Sequence, residues 1–262
     1  MRITLRLKRR IHMSASALSL LCSRCSHHSK MLVVRTRLLT CALLTIAGLH
    51  SLPAGAQQYS MSDLGTLGGT YSGGYGINGA GKIVGASYTA KDALLRPFLY
   101  GNGGMIGLGT LGGIIGYGYG VNIAGDVTGF SDAGNNQRAF LYSNGSLIDL
   151  GTLGGSDSAG SAINAAGQIV GTAADKYGTY HAFLYRGGSM IDIGSLGGGY
   201  GEANGINRAG QVTGISLTAT HAMHAFLYNN GTMKDLGTLG GVGSAGLGIN
   251  SGADHRLFFN RQ

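Results

Sequence analysis

Leu150-Gly151-Thr152-Leu153-Gly154-Gly155 decides the fold, because the same block opens at Leu64, Leu108 and Leu236 and recurs as Ile193-Gly194-Ser195-Leu196-Gly197-Gly198. The five copies are spaced at intervals of 44, 42, 43 and 43 residues. A constant interval of this size marks a supersecondary unit that cannot cover its own apolar faces, so neighbouring copies must stack to make an interior. Outward from the block, the third unit reads as four short extended segments separated by turn residues. They are Ser146 to Leu150, Ala159 to Asn164, Gln168 to Thr172 and His181 to Tyr185.

Two hairpins per unit are written in turn chemistry. Asn102-Gly103, Asn144-Gly145, Gly187-Gly188 and Asn230-Gly231 follow a Phe-Leu-Tyr strand and suit type I′ turns, which need φ > 0 at both centres. Asn78 to Gly81, Asn122 to Gly125, Asn164 to Gly167 and Asn207 to Gly210 have the Asn and Gly of a type I turn with a left-handed exit. The strands Phe98-Leu99-Tyr100, Phe140-Leu141-Tyr142, Phe183-Leu184-Tyr185 and Phe226-Leu227-Tyr228 are apolar on both sides, so both faces of each sheet are covered. Glycine, 48 of the 206 residues from Gln57 onward, is too frequent for helices. The expectation is an all-β repeat protein, β-propeller-like, with four-stranded blades of about 43 residues; a Gly-rich β-solenoid is the alternative.

The net charge of +8 does not point to nucleic acid. Nine of the 19 Lys and Arg precede Gln57, where no acid occurs, so the basic balance belongs to a leader. From Met31 a basic start, an apolar run from Leu38 to Leu49 and the small residues Ala54 and Ala56 ahead of Gln57 read in order as a secretory signal peptide cleaved after Ala56. The run is too short for a membrane-spanning helix, and no transmembrane anchor is expected after processing. The resulting division is 1–30 an upstream extension or over-called start, 31–56 the signal peptide, 57–250 the repeats with a partial fifth, and 251–262 a degenerate tail. Cys22, Cys25 and Cys41 all lie in the leader, so the mature chain needs no disulfide. No metal or cofactor site is expected. Localisation is secreted, periplasmic or cell-surface.

The strings His181-Ala182-Phe183-Leu184-Tyr185 and His224-Ala225-Phe226-Leu227-Tyr228, followed by Met-x-Asp-Leu-Gly-Thr-Leu-Gly-Gly and then Gly-Ile-Asn-x-x-Gly-x-Val-x-Gly, resemble the HAF-type extracellular repeats of bacteria. The likeness covers Tyr59 to Asn250. It implies export and a repeat scaffold of uncharacterised role rather than a reaction. Arg96 and Arg138 depart from the His of the motif, and the strand expected after Asn250 is missing. Self-association is one way of completing that fifth repeat.

Residues present in every repeat belong first to the fold. Asp63, Asp149, Asp192 and Asp235 share a column and are expected to bond the neighbouring backbone turn. Variation is more informative. The connections Thr70 to Tyr75, Ile114 to Tyr119, Ser156 to Ser161, Gly199 to Asn204 and Val242 to Leu247 are expected to gather as loops on one face. Tyr71, Tyr75, Tyr117, Tyr119, Tyr200 and Glu202 would then offer flat rings with polar tips to an extracellular glycan or peptide; the competing reading packs these tyrosines between blades. The expected role is a non-enzymatic binding or structural scaffold at the envelope. A propeller hydrolase or lyase using the single-copy acids is one alternative, and a truncated fragment without a ligand is another.

Overall fold

A computed structural model describes residues 60–251; the leader, the cleavage site at Ala54, Ala56 and Gln57, and the tail beyond Ser251 lie outside the described residues. The repeats fall in the unit that begins at Ser62. They form four antiparallel four-stranded sheets, each a simple meander. Sheet 1 contains β1 (Gly68–Ile77), β2 (Ile83–Thr89), β3 (Leu95–Gly101) and β4 (Gly104–Gly107). Sheet 2 contains β5 (Gly116–Val121), β6 (Val127–Ala133), β7 (Asn136–Ser143) and β8 (Ser146–Asp149). Sheet 3 contains β9 (Gly154–Ile163), β10 (Ile169–Asp175), β11 (Tyr180–Arg186) and β12 (Ser189–Asp192). Sheet 4 contains β13 (Gly197–Ile206), β14 (Val212–Thr218), β15 (Met223–Asn229) and β16 (Thr232–Asp235).

In a solenoid, equivalent strands of successive coils would hydrogen-bond into long shared sheets. Here every ladder closes within one repeat, and successive repeats are joined by packing, by isolated hydrogen bonds and by the single parallel bridge of Leu95 to Ile115. These are blades of a β-propeller type. The first strands β1, β5, β9 and β13 pack one on the next in chain order.

The interior is a series of inter-sheet contacts, as stacking requires. Val84 of sheet 1 packs with Val127 and Phe140 of sheet 2; Ala139 with Ile163, Ile169 and Phe183; Val170 and Leu184 with Val212 and Phe226. Phe98, Phe140, Phe183 and Phe226 are each 0% exposed. Burying such a side chain contributes on the order of 2 kcal/mol or more, so the Phe column is a main source of cohesion.

The repeated block is the connector between sheets. Its first residue, Leu108, Leu150 or Ile193, is buried. Its Thr hydroxyl, at Thr66, Thr110 and Thr152, donates to the carbonyl three residues on at Gly69, Gly113 and Gly155. The amide N–H of Leu67, Leu111 and Leu196 donates to the hydroxyl of a buried serine, Ser87, Ser131 or Ser216. Asp63, Asp149, Asp192 and Asp235 each accept from the N–H two residues on, at 2.7–2.9 Å. The carboxylate column is therefore turn chemistry.

The hairpins match their chemistry. Asn102, Asn144 and Asn230 have φ of 52°, 51° and 48°, each followed by Gly with positive φ, as type I′ requires. The Asn-x-x-Gly turns close with the Gly N–H donating to the Asn carbonyl, for example Gly167 to Asn164 at 3.0 Å. The same Asn does more. Its Oδ1 accepts from two N–H groups of its own turn, and its Nδ2 donates to the carbonyl of the equivalent Asn one repeat on. The series Asn78 to Asn122 (2.7 Å), Asn122 to Asn164 (3.3 Å), Asn164 to Asn207 (3.1 Å) and Asn207 to Asn250 (3.1 Å) is a continuous ladder across all five repeats.

Candidate functional site: a tyrosine platform on the first two sheets

Four of the five variable connections lie largely on strands, and the fifth, Val242 to Leu247, does not. Thr70 to Tyr75, Tyr117 to Tyr119 and Gly199 to Asn204 lie on β1, β5 and β13, the first strand of their sheets. On the third sheet the first strand begins at Gly154, five residues before the predicted start at Ala159, because the Gly-Gly pair opens the strand, with Gly154 at φ 104°, instead of closing a turn.

Each first strand carries a bulge against its partner. The register skips Tyr75 on β1, Tyr119 on β5, Ser161 on β9 and Asn204 on β13. A bulge leaves one residue outside the ladder and redirects its side chain. The cost falls on the second strand, where Gly85, Gly129, Gly171 and Gly214 lie so close to the bulged backbone that a Cβ would fall within 1.8–2.0 Å of a carbonyl oxygen. Glycine is thus fixed in the Ile/Val-Val/Thr-Gly column for clearance, and the bulged position is released to vary.

On alternate positions the first strand presents two different faces. Gly116, Gly118, Gly160 and Gly201 approach the preceding sheet closely, and Ser158 accepts there from the Ala139 N–H at 2.9 Å. The residues of the opposite face are free to be large. Four of the six predicted residues meet on that side. The Tyr75 ring centroid lies 5.8 Å from both Tyr117 and Tyr119, which stack on each other at 6.0 Å; Tyr117 stacks on Phe130 of β6 at 5.2 Å, and Tyr119 meets Phe130 tilted at 6.0 Å. The Tyr71 hydroxyl is 3.5 Å from that of Tyr75, and its ring meets Tyr88 edge-on at 6.3 Å. These are ordinary separations for attractive aromatic pairs. The rings pack between sheets and face solvent together: Tyr71 and Tyr75 are each 48% exposed, while Tyr117 and Tyr119 are half-buried.

The environment keeps the platform neutral. The hydrogen bond to Tyr71, then burial and the surrounding phenols, pushes the Tyr75 hydroxyl up to about 12. Burial and Tyr117 raise Tyr119. The surface therefore offers uncharged rings edged by hydroxyls.

Tyr200 and Glu202 do not join it. They pair with each other on sheet 4, the phenol donating to the Glu202 carboxylate, and burial followed by that bond raises the Tyr200 hydroxyl. Phe130 and Tyr88 belong to the platform and were not anticipated. Phe130 had a signal: it stands where the other repeats place Ala86, Thr172 and Ile215, directly across the ladder from Tyr117.

The remaining charged candidates serve local structure. His181 lies 3.1 Å from Asp192 and 3.5 Å from Asp175, and His224 lies 2.9 Å from Asp235. In the same column Arg96 donates to Thr110 at 3.0 Å. Asp92 accepts from the Thr70 N–H and hydroxyl, Asp126 from Asn122 and Ser143, Asp132 from the Ile115 N–H, and Asp157 from the Gln137 N–H. Among the described residues no three His, Cys, Asp or Glu side chains come together as a metal site, and no helix is long and apolar enough to cross a membrane.

No family model matches the chain, and no curated protein does. Several solved structures are similar to it. TolB from Acinetobacter baumannii is 14% identical with a TM-score of 0.48, over 62% of this chain and 42% of that one. The Pyrococcus horikoshii acylaminoacyl peptidase is 15% identical with a TM-score of 0.42, over 64% and 27%. The β-propeller domain of the Trilobed protease from Pyrococcus furiosus, described as having an open velcro topology, is 15% identical with a TM-score of 0.45, over 65% and 55%. The aligned part of this chain spans between about a quarter and just over half of their lengths.

Proposed function

We propose that the chain is an exported, non-enzymatic binding protein of the bacterial envelope, and that its ligand is a glycan laid on the platform of Tyr71, Tyr75, Tyr117 and Tyr119. The observation that carries this reading is the convergence of four variable tyrosines and Phe130 into one half-exposed neutral surface, built from the positions the fold leaves free. Flat apolar rings with hydroxyl tips suit a sugar, whose axial hydrogens pack on the ring while its hydroxyls meet the phenols. Export rests on the basic, apolar and small-residue order ending at Ala56 and on the HAF-type resemblance. A non-enzymatic role is supported by the local hydrogen bonds of the single-copy acids. Asp92, Asp126, Asp132 and Asp157 are tied by hydrogen bonds to turns or to neighbouring strands.

The test is a glycan array probed with the processed protein, followed by titration of the best ligand. Tyr75→Ala and Tyr117→Ala are each expected to weaken binding about 30-fold, the ~2 kcal/mol of an anchoring aromatic residue, while Tyr200→Phe leaves it unchanged. Binding of extended peptides in place of glycans, or binding indifferent to both alanine variants, would reject the reading. Amino-terminal sequencing of the exported form is expected to begin at Gln57.

A further inference from the structure

Successive sheets alternate in what they offer to the first strand that docks on them. At the second residue of the second strand, sheets 1 and 3 carry Val84 and Val170, and sheets 2 and 4 carry Thr128 and Thr213, all buried. The threonine hydroxyls donate to Phe140 O and Phe226 O at 2.8 Å, which fixes their direction. The docking strand alternates in step. On the Val sheets it sets down Gly116 and Gly118, or Gly201 and Ala203; on the Thr sheets it sets down Ser158 and Gly160, or Ser244 and Gly246. A Cβ at Gly160 or Gly246 would fall 2.1 Å from the threonine hydroxyl, and Ser158 and Ser244 accept the N–H of Ala139 and Ala225 at 2.9 Å. A strand that meets a Thr sheet is therefore written Ser-x-Gly.

β1 is such a strand, with Ser72 and Gly74, and among the described residues no sheet lies against it. Gly74 is exposed, whereas Gly118, Gly160, Ala203 and Gly246 are buried. Ile77 is 70% exposed where Ile163 is 9% exposed, and Ile83 is only half-buried where Val127, Ile169 and Val212 are fully buried. Two bonds that recur at the other junctions also stop here. The N–H groups of Leu108, Leu150, Ile193 and Leu236 reach a third-strand carbonyl, and the carbonyls of Asn122, Asn164, Asn207 and Asn250 accept from the ladder; among the described residues Leu64 and Asn78 have neither partner.

Sheet 4 is a Thr sheet met by a single strand. Residues 242–251 lie on it through Ser244 N–H to Met223 O at 2.9 Å, Gly246 N–H to Gly214 O at 3.1 Å and Asn207 Nδ2 to Asn250 O at 3.1 Å, and no described strand pairs with them to build a sheet. The stretches leading into β1 and into this segment are the same: 63–69 and 235–241 both read Asp-Leu-Gly-Thr-Leu-Gly-Gly. Ser72, Gly74, Gly76, Ile77 and Asn78 then match Ser244, Gly246, Gly248, Ile249 and Asn250 one for one.

We propose that copies of this chain self-associate by exchanging this contact: sheet 1 of one copy docks on sheet 4 of a second, displacing the second copy's residues 242–251, which in the single chain cap that socket. Gly74 then lies over Thr213, Ser72 accepts the Ala225 N–H, Leu64 N–H meets Ala225 O, and the ladder runs on from Asn207 of one copy to Asn78 of the next. The alternation of Val and Thr sheets continues unbroken across the junction. β1 brings with it Ile83 and the rest of its sheet, for which the lone capping strand has no counterpart, so the exchanged contact buries more apolar surface. The cap's advantage is its tether, which a high concentration of a second copy offsets. The contact joins two different faces, so it is heterologous.

The test is sedimentation velocity of the full-length processed protein, loaded at up to about 1 mM, the effective concentration of a short tether. Gly246→Ala drives a Cβ into the Thr213 hydroxyl and releases the cap; it is expected to tighten association at least about 10-fold, the factor of one 1.4 kcal/mol step. Gly74→Ala sets the same collision against the second copy, while within its own chain its Cβ meets only the Ile83 methyl at 3.1 Å. It is expected to abolish association, alone and combined with Gly246→Ala. Ile77→Glu, at an exposed position, is expected to do the same with an unchanged melting temperature. Tyr75→Ala with Tyr117→Ala alters the opposite face of the first strands and leaves association intact, which separates this contact from the glycan reading. Circular dichroism checks that each variant is folded. A folded Gly246→Ala that associates no more tightly than the natural protein, association retained in folded Gly74→Ala or Ile77→Glu, or association lost in the platform variant would each overturn the proposal.

Discussion

The asparagine ladder can be separated from the turns it grows out of by a single substitution, Asn164→Asp. Asn164 is 5% exposed. Its Oδ1 accepts from the N–H groups of Ala166 and Gln168, both at 3.0 Å, and its Nδ2 donates to Gln168 Oε1 at 2.7 Å and to Asn207 O at 3.1 Å. Aspartate keeps the acceptor and the shape, so the turn survives. It loses both Nδ2 bonds and turns a second oxygen toward two acceptors. Two buried bonds at about 1 kcal/mol each, with acceptors left unpaired, give an expected loss of about 3 kcal/mol, or roughly 6–12 °C in melting temperature for a domain of this size. Asn164→Ala also removes the turn bonds and is expected to lose about 1–2 kcal/mol more. Asn78→Asp, at the half-buried start of the ladder, should lose less than either. The assay is urea unfolding followed by far-ultraviolet circular dichroism. Stability of Asn164→Asp within 0.5 kcal/mol of the natural protein, or a loss equal to that of Asn164→Ala, would refute the view that the ladder couples one sheet to the next.

Two further outcomes follow from the geometry. Gly171→Ala sets a Cβ 2.0 Å from the Ala159 carbonyl oxygen; it is expected to cost about 3 kcal/mol by overpacking at the bulge, whereas Gly188→Ala, in open space at a hairpin, costs only the strain of its positive φ, about 1 kcal/mol. Because the Tyr75 hydroxyl is held up at about 12 against an ordinary value of 10.0, folding favours its protonated form. The stability it contributes is complete below pH 10 and disappears as pH rises from 10 through 12. Absorbance at 295 nm during an alkaline titration should show one fewer late-ionising phenol in Tyr75→Phe, and a smaller stability loss across that window.

The architecture was legible because its signals are local and repeated. A type I′ turn needs two residues with positive φ, and Asn-Gly or Gly-Gly announces it in the sequence; Asn144 and Gly145 adopt the predicted conformation. Stacking is implied by the interval of about 43 residues alone, and the buried Phe column and the inter-sheet clusters follow it. What failed to show was long-range. The Asn column was read as turn chemistry, which it is, but its Nδ2 meets a partner 42–44 residues away, and a turn motif carries no information about that partner. Glycine pairs usually punctuate strands, so the variable stretches have the sequence character of loops; here Gly154-Gly155 opens a strand instead. For the site, the tyrosines of β1 and β5 could be nominated from their variability. That Tyr200 would turn to Glu202 on its own sheet, and not toward the other four, depends on three-dimensional separation that column alignment does not encode.

The bulge explains why function can be added to so constrained a repeat. Within each first strand one alternate face must stay small to approach the preceding sheet, and the ladder Asn, the connector Leu and Thr and the clearance Gly are all committed to structure. Substituting any of these costs stability in every sheet that contains it. The positions aligned with Tyr71, Gly73 and Tyr75 carry no such obligation. They read Ile115, Tyr117 and Tyr119 in the second repeat, Asp157, Ala159 and Ser161 in the third, and Tyr200, Glu202 and Asn204 in the fourth. Four variants of one scaffold position thus produce an aromatic platform, a polar stretch and an internally paired phenol. Here the aromatic residues of β1, β5 and β13 stand only at the aligned positions, and the first two sheets, adjacent in the stack, hold four of the five. That concentration is the physical reason for reading the platform as a surface built to meet a ligand.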